Sequence, residues 1–275
     1  MNNTYFDVQM GAKEISVNIS VQGVAISAVL HLPSGGGPHP AVLCLHGLAG
    51  VKSFYTVLAR RLAGAGVACL RLDFRGCGDS AGSLEDLTLE TQMEDAEAAF
   101  RALRGRPDIR YDGIALLGFS MGGAVASLMA ARLEPACLGL WAPLLKLSKY
   151  VSRSSPAWTP LEGGRMLLWE GHVAGPGLFE SCERHRPLPQ AEAFPGPLLL
   201  AHGEADLSVP VADSRGLEAA RGRAGLPVEA HYYPASGHLF EAPAERALLY
   251  QATTAFFTRQ LLGSHAPQDQ GLREP

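Results

Sequence analysis

Ile114-Ala115-Leu116-Leu117-Gly118-Phe119-Ser120-Met121-Gly122-Gly123 is the stretch on which the reading of this chain turns. Its first half, Ile114–Phe119, is apolar without alternation, as expected of a strand covered by helices on both faces. Its second half is a G-x-S-x-G pattern, and a small-residue helical stretch, Gly122–Arg132, follows. A serine set on a sharp strand-to-helix turn leaves little backbone room, so small residues must flank it on both sides. Such a turn lifts the Ser120 hydroxyl clear of the sheet and points the Met121 amide toward a forming oxyanion.

Working outward, short unbroken apolar runs recur at Ala41–Leu45, Val67–Leu72, Gly113–Phe119, Ala136–Trp141 and Pro197–Ala201. Helical spacing fills the gaps. Phe54, Leu58, Leu62 and Ala65 follow it behind Ser53, an expected N-cap, and stop at Gly66. Leu89, Met93, Ala96, Phe100 and Leu103 follow it to Gly105. Two alternating runs, Glu14–Ser20 and Val24–His31, are joined at Gln22-Gly23 as an antiparallel hairpin. A last strand, Val228–Tyr233, precedes a helix that opens at Pro243 and runs to about Leu262. The expected fold class is α/β: a mostly parallel, doubly wound sheet with N-terminal antiparallel strands. Sites in such sheets lie at the carboxyl ends of the strands.

The 275 residues are 47% hydrophobic and 18% charged, which excludes wholesale disorder and fibrous folds. A net charge of −4 without a basic patch gives nucleic acid nothing to bind. No apolar run approaches the ~18–20 residues that span a bilayer. The N-terminus lacks a basic region followed by an apolar stretch, so no signal peptide is expected. Cys44, Cys69, Cys77, Cys137 and Cys182 are odd in number and scattered in apolar runs, reading as buried thiols of a cytoplasmic protein. One domain over 1–262 and a flexible tail over 263–275 are expected, as monomer or homodimer.

A serine hydroxyl needs a general base. His238, in Ser236-Gly237-His238, follows the last strand and should reach the carboxyl edge beside Ser120. An acid should orient that imidazole. Asp206, in His202-Gly203-Glu204-Ala205-Asp206, follows the run Pro197–Ala201, with Glu204 as its rival. The chain order Ser120, Asp206, His238 is nucleophile, acid, base. In His46-Gly47-Leu48-Ala49-Gly50, the Leu48 amide is the candidate second oxyanion donor, and His46 holds the loop by hydrogen bonds. Gly76-Cys77-Gly78 with Gly82 misses the dinucleotide spacing by one residue. Cys182 and His185 stand without further ligands, so no metal is expected, and a serine nucleophile with its own base needs no organic cofactor.

His46-Gly47, Asp73-Phe74-Arg75-Gly76-Cys77-Gly78-Asp79-Ser80, Gly118–Gly123, His202–Asp206 with Val209-Pro210, and Ser236-Gly237-His238 together resemble the α/β-hydrolase superfamily. Among its branches the chain is most similar to serine esterases and acyl hydrolases near the feruloyl or cinnamoyl esterases and to the serine-aminopeptidase-like group. The resemblance covers roughly Val24 to Leu262. It implies an α/β-hydrolase fold, Ser120 as nucleophile, His238 as base, Asp206 as acid, and Leu48 and Met121 amides as oxyanion donors.

Between Pro143 and Ala193 the strand–helix rhythm breaks, where that superfamily inserts a cap. Apolar and aromatic residues there would line an acyl or aryl pocket or pin the cap to the sheet. Trp158, Met166 and Trp169 are candidates for substrate contact, and Trp141, at the strand end, is the foremost. Arg153, Arg165, Arg184, Arg186, His172 and His185 give the segment a basic bias. The expected function is hydrolysis of small to medium acyl or aryl esters through an acyl-enzyme. The alternatives are an acyl-CoA thioesterase, a small-peptide hydrolase, and a non-catalytic binding protein on this fold.

Overall fold

The computed structural model describes residues 12–155 and 158–263, so nearly all of the expected tail lies outside the described residues. Strands β1 (Lys13–Val21) and β2 (Val24–Leu32) pair antiparallel along their full length. Gln22 and Gly23, at φ of 51° and 84°, make the two-residue turn whose twist matches the strands.

From there strands and helices alternate: β3 (His39–Leu45), α1 (Thr56–Gly64), β4 (Ala68–Leu72), α2 (Leu89–Arg104), β5 (Ile109–Phe119), α3 (Met121–Leu133) and β6 (Leu138–Trp141). The chain then leaves the sheet for α4 (Leu147–Tyr150), the short strands β7 (Thr159–Pro160), β8 (Met166–Leu167) and β9 (Val173–Ala174), and helices α5 (Pro176–Arg184) and α6 (Pro187–Ala193). It returns through β10 (Leu198–Gly203), α7 (Val211–Arg223), β11 (Val228–Tyr233) and α8 (Pro243–Leu262).

The main sheet has the order β1-β2-β4-β3-β5-β6-β10-β11; β1 to β2 and β2 to β4 are antiparallel and every other pairing is parallel. Strand alternation divides its side chains between two cores. Leu43, Leu45, Leu116, Leu138, Leu140, Leu198 and Leu200 pack with α2, α3 and α6. Val42, Cys44, Cys69, Leu117, Trp141, Leu199 and Ala201 pack with α1 and α8 on the other face. This sorting explains why the strands read as unbroken apolar runs.

Helix α2 opens on a reciprocal cap: the Thr91 amide donates to the Thr88 hydroxyl at 3.1 Å and the Thr88 amide donates to the Thr91 hydroxyl at 2.9 Å. Ser53, by contrast, is no N-cap. A 3-10 turn over Lys52–Tyr55 precedes α1, and its first amide, Lys52 N, donates to Asp73 Oδ1 at 2.5 Å. A carboxylate from the end of β4 supplies the acceptor that a local serine would have given.

The segment between β6 and β10 is tied down at two points. Asp213 of α7 accepts from Lys146 Nζ at 2.5 Å and from Tyr150 Oη at 2.8 Å. Ser181 of α5 donates to the Glu90 carboxylate and accepts from the Leu89 amide at 3.0 Å. Arg184 adds a bond to Glu90 at 2.7 Å. Burial pushes the Glu90 carboxyl up, but Ser181 and Arg184 outweigh it and hold the group at about 2.

Candidate active site

Strand β5 delivers Ser120 onto the elbow ahead of α3, at φ 53° and ψ −118°. Few L-residues hold this conformation unless the surroundings impose it. Here the Ser120 amide donates to the Trp141 carbonyl at 2.9 Å, and the Ser120 carbonyl accepts from the amides of Gly123 and Leu144, both at 3.0 Å. The neighbouring glycines allow the elbow to approach the sheet. A Cβ on Gly122 would lie 2.1 Å from the Leu45 carbonyl oxygen, and one on Gly118 would lie 2.2 Å from the Gly122 carbonyl oxygen. Both collisions are with backbone, which cannot swing aside. Gly122→Ala is therefore expected to cost about 3 kcal/mol or more. Gly222→Ala, in α7 with nothing near its Cβ, should gain about 0.5–1 kcal/mol. Thermal midpoints of the two variants check this contrast, and a tolerated Gly122→Ala would refute it.

His238 reaches Ser120 from the loop after β11, with Nε2 3.0 Å from Ser120 Oγ. Its Nδ1 donates to Asp206 Oδ2 at 2.7 Å. The two loops meet because β10 ends in a glycine: a Cβ on Gly203 would lie 2.2 Å from the Ser236 carbonyl oxygen. The structure thus brings Ser120, His238 and Asp206 into one hydrogen-bonded line. Glu204, the rival acid, is turned away and paired with Arg215. Burial raises the Asp206 carboxyl, but hydrogen bonds from His202 and His238, the charge of His238 and the Val209 amide overcome it, holding the group well below the usual carboxylate range.

The loop after β3 lies against Ser120, since a Cβ on Gly47 would be 3.2 Å from that of Ser120. Met121 is the first residue of α3, where an amide has no intrahelical acceptor. Neither its N–H nor that of Leu48 donates to a backbone acceptor among the described residues. His46 holds this loop. Its Nδ1 donates to the Gly47 carbonyl at 2.8 Å and its Nε2 accepts from the Phe74 amide at 3.0 Å, which fixes a neutral tautomer. Burial pushes its pKa down to about 4. Asp73 braces the same region, accepting from the Lys52 amide, the Lys52 ammonium and the Asp79 amide.

The aromatic candidates are placed less simply. Trp141 does not face the segment that follows it. It is 1% exposed, with Phe54, Tyr55, Phe240 and Tyr250 around its ring, and its Nε1 donates to Thr253 of α8 at 3.1 Å. The reason is strand alternation: Leu138 and Leu140 of β6 face one core and Trp141 faces the other. Met166 is buried, Trp158 packs on Phe179 with centroids 5.3 Å apart, and Trp169 is half exposed in the turn between β8 and β9. The aromatic ring against His238 is Phe119, at 4.9 Å, a residue the sequence marked only as strand.

The arginines of this segment are engaged. Arg153 pairs with Glu180, Arg165 with Glu85 and Arg184 with Glu90, while Arg186 donates to the carbonyls of Glu183 and His185. Among the described residues no three His, Cys, Asp or Glu side chains are grouped to hold a metal ion, and no helix is long and apolar enough to cross a membrane. All five cysteines are buried and unpaired as disulfides.

Residues 36–173 match the model of the family described as serine aminopeptidase, S33. An uncharacterised protein of Mycobacterium tuberculosis is 32% identical over 225 residues, covering 82% of this chain and 72% of that protein. An uncharacterised peptidase of Bacillus subtilis, YtmA, is 27% identical over 249 residues, covering 84% and 88%. Among solved structures, Est1E from Butyrivibrio proteoclasticus with ferulic acid bound superposes with a TM-score of 0.78 at 21% identity, covering 90% of this chain and 99% of that one.

Proposed function

The chain belongs to the serine aminopeptidase S33 family of α/β hydrolases, and we propose that its reaction is hydrolysis of small to medium acyl or aryl carboxylic esters through an acyl-enzyme. The observation that carries this reading is the continuous path from Ser120 Oγ through His238 to Asp206, with links of 3.0 and 2.7 Å. Distances of this size let a proton pass to the base as the oxygen attacks.

In the proposed cycle His238 Nε2 takes the hydroxyl proton as Ser120 Oγ bonds to the ester carbonyl carbon. The carbonyl electrons move onto oxygen, where the Leu48 and Met121 amides receive the charge. Asp206 stabilises the imidazolium without taking its proton. Collapse of the tetrahedral adduct breaks the bond to the alcohol, which leaves with the proton from His238. Water then attacks the acyl-enzyme by the same steps and releases the acid.

The reading treats residues 143–193 as a cap on one domain. Trp158, Met166 and Trp169 remain its candidates for substrate contact, and the thiol state of the cysteines supports a cytoplasmic location. A peptide-hydrolysing alternative is favoured by the family's description. An acyl-CoA thioesterase stays an alternative, because Arg153, Arg165 and Arg184 are exposed and their surface ion pairs with Glu180, Glu85 and Glu90 are weak enough to yield to a phosphate.

The test is one panel: p-nitrophenyl esters from acetate to palmitate, a hydroxycinnamate ester, an acyl-CoA and aminoacyl p-nitroanilides. Turnover peaking at one ester is expected. Anilide turnover exceeding every ester would replace the proposal with the peptidase.

A further inference from the structure

We propose that His202 is a positioning residue for this reaction: it shares Oδ2 of Asp206 with His238 and fixes the direction in which that oxygen faces the base. The proposal rests on the reading of Ser120, His238 and Asp206 given above.

His202 is the fifth residue of β10 and is wholly buried. Its Nε2 lies 3.1 Å from Asp206 Oδ2 and 2.9 Å from the Val209 carbonyl oxygen. Both neighbours are acceptors, so Nε2 carries a proton. Its Nδ1 lies 2.7 Å from the hydroxyl of Ser214, also wholly buried, which can donate or accept. One imidazole therefore ties the strand, the acid loop and helix α7 together.

The Asp206 carboxylate receives four donors. The amides of Ser208 and Val209, both at 2.8 Å, claim Oδ1, and His238 and His202 claim Oδ2. The two amides alone leave Oδ2 free to swing with the carboxylate plane; His202 removes that freedom. It also draws on the charge that Oδ2 presents to His238. The other carboxylates beside these loops are Glu204, paired with Arg215, Glu241, next to Gly237, and Glu245, which accepts from the Ala235 amide at 2.9 Å, while Asp213, next to Ser214 on α7, is held by Lys146 and Tyr150.

The decisive variants are H202N and H202Q, both able to donate a hydrogen bond. Asparagine matches the position of Nδ1 and falls short of Asp206, whereas glutamine matches Nε2 and reaches it. Wild-type protein with its Ser120-dependent turnover is the reference. For H202N, kcat is expected to fall about 10- to 100-fold with KM little changed. The acid limb of its kcat/KM profile is expected to move up by about 0.5–1 pH unit, because Oδ2 then faces His238 alone and favours the imidazolium. H202Q should recover kcat to within about threefold and restore the acid limb.

The folded fraction of each variant is read by circular dichroism at every pH and divided out, so that acid-side unfolding does not pass for a moved limb. An unmoved limb in H202N overturns the proposal, as do equal losses in H202N and H202Q. A wild type without Ser120-dependent turnover overturns the parent reading, and this one with it; intact wild-type turnover beside a normal H202N overturns this one alone.

Discussion

Exchange of Ser120 for alanine is expected to lower kcat for ester hydrolysis on the order of 10⁴- to 10⁶-fold, and to abolish labelling by a fluorophosphonate probe. The size follows from the arrangement. When nucleophile, base and acid act as one unit, removing the nucleophile forfeits nearly all that the unit contributes, and only the oxyanion donors and binding remain. The fold should be untouched. Alanine suffers at φ 53° about as serine does, and the elbow is held by the backbone bonds of Ser120 to Trp141, Gly123 and Leu144. The side chain gives up one hydrogen bond, to His238. Thermal midpoint and circular dichroism should match wild type. A variant that keeps more than about one hundredth of the wild-type kcat would show that another group attacks the substrate.

The second large effect is on stability and comes from two histidines outside that line. His46 and His31 are buried and held neutral, each pushed down to about 4, in both cases mainly by burial. For His31 the Arg71 guanidinium adds to this, its Nε donating to His31 Nε2 at 2.9 Å.

An unfolded histidine titrates near 6.5. Between about pH 6.5 and 4 the unfolded chain therefore binds protons that the native protein refuses, so stability falls as pH falls. Above pH 6.5 both states are neutral at these sites and the effect vanishes; below about pH 4 it is complete, at roughly 3 kcal/mol for each histidine. Going from pH 7 to pH 5 should cost about 2 kcal/mol for each. Carboxylates held low, such as Glu90 at about 2, act in a lower window, below the unfolded value near 4.3.

Urea unfolding at pH 7, 6 and 5 reads the loss directly. His31→Gln, whose carbonyl can still accept from Arg71, should remove about half of the pH dependence. A midpoint flat from pH 7 to 5, or a slope unchanged in His31→Gln, would refute the account.

Several features of the site were legible because they are local. G-x-S-x-G between an apolar run and a small-residue stretch is a local demand for room at one turn, and Gly118 and Gly122 meet it. Loops after β3, β10 and β11 were assigned to the carboxyl edge because parallel strands leave no other place for them. Trp141 was misread because the end of a strand does not tell which face its last side chain takes. That is set by register with β5 and β10, and it points this ring at α8. Helix α7 was not marked in the sequence, since Leu217 is its one fully buried aliphatic residue. Ser53 was taken for a cap because the true partner of the first amide, Asp73, is 21 residues away.

By itself, then, the sequence determined most of the α/β order of elements, the elbow at Ser120, and His238 with two rival acids, Asp206 and Glu204, as the groups to meet there, because periodicity and backbone room are properties of neighbouring residues. Tertiary structure alone decided which acid faces His238, that His202 shares its oxygen, which face buries Trp141, and that Arg153, Arg165 and Arg184 stand in ion pairs. Each of these depends on distances between side chains far apart in the chain, and burial converts those distances into tautomer, charge and orientation.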